Sequence, residues 1–189
     1  KAGYKVMPKT TTWLGYRRGI VHYTANGRNA GNTANIIAGN KNSKSHYFEG
    51  GIDGILAPKL KGSISAGLSL RRYDQSNAGR TQHSRNAIAN ANLTWNPMAP
   101  CIWTLGLARS INESTSGASR FSIENSGDLG VTHKFPWKLT GRVGGGVTVS
   151  KYPETIQTLT AAGVVIPGAA VNRRDDTYRQ NVGVDYGIN

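Results

Sequence analysis

The sequence predicts an all-β fold, an antiparallel up-and-down transmembrane barrel with about nine strands visible. Three observations predict it. Apolar and polar residues alternate with period 2 over segments of ~10 or more residues, the length a tilted strand needs to cross a bilayer core. Four proline-marked tight turns alternate with long polar stretches, as in barrels with short turns at one rim and long loops at the other. Aromatic residues gather near the segment ends, where a ring can meet an apolar phase on one edge and water on the other.

The turns are Met7-Pro8-Lys9, Ala57-Pro58-Lys59, Asn96–Pro100 and Phe135-Pro136-Trp137, with Pro8, Pro58, Pro97 and Pro136 spaced by 50, 39 and 39 residues. The polar stretches are Ala25–Ser45, Asp74–Ser84, Asn112–Ser119 and Pro153–Arg174. Turn, strand, long loop and strand form a repeating hairpin unit without recurring side chains.

The segments follow in order. Ala2–Val6 is a short strand stub. Thr11–Thr24 is the least clean, with arginines on both parities. In Tyr47–Leu56, Phe48, Ile52 and Leu56 oppose Glu49 and Asp53. Lys61–Tyr73 is the sharpest: Ile64, Ala66, Leu68 and Leu70 alternate with Ser63, Ser65, Ser69 and Arg71. Asn86–Trp95 sets alanines, Leu93 and Trp95 against Asn90, Asn92 and Thr94. Ile102–Ile111 sets Trp103, Leu105 and Leu107 against Thr104, Gly106 and Ser110. The hairpin Ser126–Tyr152 has Leu129, Val131, Val143, Val147 and Val149 on one face and Asp128, Thr132, Arg142 and Thr148 on the other. Asp176–Ile188 closes the series, with Tyr178, Val182, Val184 and Tyr186 opposite Arg179, Asn181 and Asp185.

Alternation alone also fits a soluble sandwich, which turns its apolar face inward. A glycan-binding sandwich therefore stays an alternative, as does a structural or adhesin-like membrane barrel without an open channel. Hydrophobic residues make up 38% of the chain and no helical span appears; the longest largely apolar run, Ala161–Val171, contains Pro167. The single cysteine, Cys101, permits no internal disulfide and leaves the redox compartment open. A formal charge of +13 calls for an anionic neighbour. Lys1 and Asn189 both fall inside alternating segments, and an open nine-stranded sheet leaves unpaired edges that a bilayer penalises. The expectation is that residues 1–189 are part of a single outer-membrane barrel domain truncated at both ends.

From Arg85 onward the chain carries LTWNP at Leu93–Pro97, TLGLARSINEST at Thr104–Thr115, DLGVTHKF at Asp128–Phe135 and RRDDTYRQNVGVDY at Arg173–Tyr186. Together these resemble the β-barrel porin family of Gram-negative outer membranes that accompanies exopolysaccharide or capsule synthesis genes. The resemblance is best over residues 85–189. It implies a bacterial outer-membrane location and a conduit for exopolysaccharide or another polar solute. Candidate partners are outer-membrane lipid and lipopolysaccharide, an acidic polysaccharide and a periplasmic export partner.

If the apolar parity faces lipid, the lumen is lined by Glu49, Asp53, Arg71, Asn90, Asn92, Glu124, Asp128, Arg142, Arg179 and Asp185, with Ser63 and Ser65 between them. Such a lining suits a hydrated path. The plainer reading is that these charges only neutralise one another across strands. Asp128 and Arg142 are expected almost opposite each other about Pro136. Basic loop candidates for lipopolysaccharide phosphates or an acidic polymer are Arg28, Lys41, Lys44, Arg72, Arg80, Arg85, Arg120, Arg173 and Arg174. Interfacial aromatics are Phe48, Tyr73, Trp95, Trp103, Phe135, Trp137 and Tyr152.

Signs of chemistry are thin. His22, His46, His83 and His133 have no metal-ligand spacing. Gly144-Gly145-Gly146 is not followed by Lys-Ser/Thr, so it is no phosphate loop; glycines in a strand mark a bend or a close approach. No nucleophile elbow singles out a serine. The expectation is no catalytic residue, no metal and no cofactor. The basic residues are dispersed and carry no nucleic-acid-binding signature, so no nucleic-acid partner is expected.

Overall fold

A computed structural model describes residues 1–22, 42–73, 83–113, 121–156 and 171–187. Nine strands occur among them: β1 (Ala2–Met7), β2 (Thr10–Val21), β3 (Ser43–Ala57), β4 (Leu60–Tyr73), β5 (His83–Met98), β6 (Cys101–Glu113), β7 (Phe121–Lys134), β8 (Leu139–Ile156) and β9 (Val171–Tyr186). They form one sheet in sequence order, each strand antiparallel to the next. The sheet does not close on itself; β1 and β9 are its edges.

Most strands run further than alternation indicated. β3 starts at Ser43 rather than Tyr47, and β9 at Val171 rather than Asp176. Alternation marks only where one face is apolar, whereas backbone pairing continues into flanks that are polar on both faces. Ile188 and most of the long polar stretches lie outside the described residues.

The two faces are inverted relative to a soluble sandwich. Leu14, Leu129, Val143 and Val182 are exposed on one face, while Ser43, Ser45, Ser69 and Arg71 are buried on the other. Among the described residues the buried hydrophobic set is Tyr73 and Phe121 alone. A water-soluble sheet buries its Val and Leu side chains and does not leave a continuous apolar face open.

Successive hairpins are staggered in one direction. Thr10 opens β2, and its row runs through Gly54 to Gly62, whereas β4 opens two residues earlier at Leu60. The Leu60 row runs through Trp95 to Trp103, and β6 opens two residues earlier at Cys101. The Cys101 row runs through His133 to Gly141, and β8 opens two residues earlier at Leu139. Two residues, ~6.6 Å of strand, over two spacings of ~4.8 Å give a tilt of ~35°. That is the inclination of strands in a closed barrel.

The turns are stitched to the neighbouring hairpin by a recurring hydrogen bond. Ile55 N–H donates to Lys9 O, Asn96 N–H to Lys59 O, Lys134 N–H to Pro100 O and Gly187 N–H to Lys138 O, at 2.7–3.0 Å. In each case the residue just before a new strand accepts from the next hairpin. Left-handed backbone at Lys59 (φ 64°), Trp137 (φ 66°) and Lys138 (φ 59°) makes two of these turns tight enough. The register shifts before three of the turns, at Lys5/Met7, Ile55/Ala57 and Trp95/Met98. Bulges at a barrel rim sharpen the local twist and let a tilted strand reverse.

Candidate functional site

Directly paired residues in an antiparallel ladder share a face. One row therefore joins Thr11, Asp53, Ser63, Asn92, Gly106, Asp128, Gly146 and Arg179 across eight strands. The next row toward the loop end joins Gly51, Ser65, Asn90, Ala108, Ser126, Thr148 and Thr177. Glu49, Arg71, Glu124, Arg142 and Asp185 fall on this same face by the same register. The structure thus brings all the lining candidates onto one side of the sheet.

Charges on this face come in neighbouring pairs. Arg179 Nη2 lies 3.0 Å from Asp128 Oδ1, and Arg142 pairs with Asp185. Arg17 lies 3.8 Å from Glu49, and Lys1 lies 3.7 Å from Asp53. Glu124 accepts from Asn112 Nδ2 at 3.1 Å, and Asn92 Nδ2 donates to Asn90 Oδ1 at 2.6 Å. The ion-paired side chains are well exposed, so each such pair contributes at most ~1 kcal/mol. Together they leave a surface with little net charge and many donors and acceptors.

Asp128 and Arg142 do not face each other. Asp128 is opposite Gly146 and Arg142 opposite Thr132. The symmetry centre of the hairpin is Trp137, not Pro136, because Trp137 and Lys138 carry the left-handed turn and Lys134 pairs with Thr140. Each of the two residues instead finds its counter-ion on β9.

Glycines on this face make room for neighbours' side chains. A Cβ at Gly146 would collide with Asp128 Oδ1, so the Asp128–Arg179 pair passes directly over it. A Cβ at Gly144 would meet Asn181 Oδ1 at 2.7 Å, and one at Gly51 the Trp13 ring at 2.8 Å. The glycine run on β8 is therefore a clearance for flat-lying side chains.

The loop end of the face is its densest part. Arg71, 6% exposed, donates from Nε to Ser45 Oγ at 3.0 Å and from Nη2 to Tyr47 Oη at 3.1 Å. The Arg17 guanidinium lies 4.4 Å from the Tyr47 ring centre. Tyr73 stacks on Phe121 with ring centres 6.4 Å apart, although β4 and β7 are not neighbours in the sheet.

Two aromatics expected at the interface are on this polar face instead. Tyr73 is fully buried, and Tyr152 pairs with Arg173, whose guanidinium lies 5.0 Å from its ring. Their parity, shared with Arg71 and Ser150, carried the signal. Phe48, Trp95 and Trp103 are exposed on the apolar face, with Trp95 and Trp103 ring centres 6.4 Å apart; Phe135 and Trp137 are exposed at the turn. Five basic loop candidates are on strands: Lys44 on β3, Arg72 on β4, Arg85 on β5, and Arg173 and Arg174 on β9. The ladders extend past the apolar band, and this carries those residues out of the loops. Arg28, Lys41, Arg80 and Arg120 lie outside the described residues.

A family model described as "Putative beta-barrel porin 2" matches residues 1–189, the whole chain. No curated protein matches the chain, and no solved structure does.

Proposed function

Since the chain belongs to the beta-barrel porin 2 family, we propose that it forms part of an outer-membrane conduit for a polar solute, with exopolysaccharide as the solute class. One observation carries the reading: an exposed apolar face backs onto a face of serines, asparagines and paired charges that runs unbroken from β2 to β9. Lipid satisfies the first face and a hydrated lumen the second. A lining of hydroxyls, amides and locally neutralised charges exchanges hydrogen bonds with a sugar polymer without holding it by net charge. The role is passage, with no chemical step. Strands that pair with β1 and β9 complete the barrel, since an open edge in hydrocarbon leaves backbone groups unsatisfied.

The test is conductance across a planar bilayer containing the purified protein. Stepwise openings that added exopolysaccharide reduces are the expected result; a silent membrane containing folded protein would sink the conduit. The second reading, a structural barrel without an open channel, is favoured by the buried Arg71 network and Tyr73, which occupy the loop end of the polar face. Silence in the same measurement would support it.

A further inference from the structure

The apolar face changes character abruptly toward the loops. Its last predominantly apolar row there is Tyr16, Phe48, Leu68 and Ala87. The next row is Arg18, His46, Leu70 and Arg85, and the one after it Ile20, Lys44, Arg72 and His83. On the far side of the sheet, Lys151 and Arg174 follow Val149 and Asp176 on β8 and β9. Arg18, Lys44, Arg72, Arg85, Lys151 and Arg174 are all exposed. On β5, Arg85 sits ten residues from Trp95. That is ~33 Å of strand and ~27 Å along the membrane normal at a ~35° tilt, close to the ~25 Å apolar band of a barrel.

Two features set these cations apart from solvated surface charge. Lys44 is directly opposite Arg72, and Lys151 directly opposite Arg174. Like charges in register on one face repel, and an anion beside them relieves the repulsion, as Asp176 does for Arg174. The side chains of Arg18, Arg72, Arg85 and Lys151 make no hydrogen bond or ion pair among the described residues. Asp176, paired with Arg174, is the one carboxylate whose side chain is described on this face. The polar face is the opposite case, since its carboxylates are matched by neighbouring bases or amides. Arg109, also on the apolar face, is occupied by Ala87 O and Asn125 Oδ1.

We infer that these six residues form a belt that docks the phosphate groups of an outer-leaflet glycolipid against the outside of the barrel. The belt lies just beyond the exposed aromatics Tyr16 and Phe48, which is the depth of a lipid headgroup. Arginine and lysine at that level bridge phosphates of adjacent headgroups, and each bound phosphate relieves an opposed pair. The inference rests on the apolar face meeting lipid.

The test uses detergent-folded protein and two probes, diphosphorylated lipid A and its dephosphorylated form, with binding read by native mass spectrometry. Tighter binding of the phosphorylated lipid is expected. Lys44→Gln/Arg72→Gln and Lys151→Gln/Arg174→Gln each reduce it about thirtyfold, as loss of two headgroup-level cations should, whereas Arg142→Gln on the polar face leaves it unchanged. For wild type, which needs no refolding control, added salt weakens binding and inorganic phosphate at lipid concentration does not displace the lipid. Equal affinity for the two lipids, or unaltered binding by both double variants, would overturn the belt. Displacement by inorganic phosphate would reassign it to a free-anion site. A protein that conducts yet ignores the lipid phosphates loses the belt and keeps the conduit.

Discussion

Gly146 shows what a single residue does here. Its missing side chain lets Arg179 on β9 reach Asp128 on β7 across the strand between them. Gly146→Val forces those side chains apart by overpacking and costs about 1–3 kcal/mol, whereas Arg179→Gln removes one exposed ion pair and costs at most ~1 kcal/mol. Denaturant unfolding of the two variants in detergent micelles checks that order; equal losses would contradict it. That Asp53, Asn92, Asp128 and Arg179 share one face was legible from parity, because each alternates with apolar neighbours. The partners were not. Asp128 looked paired with Arg142 because a hairpin read alone has only itself to pair with, and the true counter-ion lies 51 residues along the chain. Tyr73 and Tyr152 were misread because their position near strand ends was weighed above their parity.

At the scale of elements, the repeated unit is a tilted hairpin whose turn is clamped to the next one. The clamps from Lys9, Lys59, Pro100 and Lys138 all have the same geometry, and the step of two residues per hairpin recurs with them. The expected mean strand tilt is ~35° from the membrane normal. Polarised infrared dichroism of oriented bilayers measures it; strands near 0° or lying in the membrane plane would contradict the register. Strand identity and hairpin order were readable from period-2 alternation and the proline turns. Strand ends were not, since Lys44, Arg85 and Arg174 continue the ladder beyond the apolar rows. A basic residue flanking an apolar strand reads as a loop until pairing is seen.

Across the whole molecule, charge is sorted by face and height. Acids and bases are paired on the polar face, and exposed cations outnumber the described carboxylates on the apolar face beyond its aromatic rows. The conduit and the phosphate belt both follow from one claim, that the Val/Leu/Phe face meets lipid and the Ser/Asn/Asp face meets water. The most direct test replaces Cys101 with serine and places single cysteines along β8 at Arg142, Thr148 and Ser150 and at Val143, Val147 and Val149. Each carries an environment-sensitive fluorophore in lipid vesicles, read against a lipid-soluble and a water-soluble quencher. Strict alternation is expected, with 143, 147 and 149 quenched from lipid and 142, 148 and 150 from water. Quenching from water at both sets, or shielding of 143, 147 and 149 from both quenchers, would contradict it.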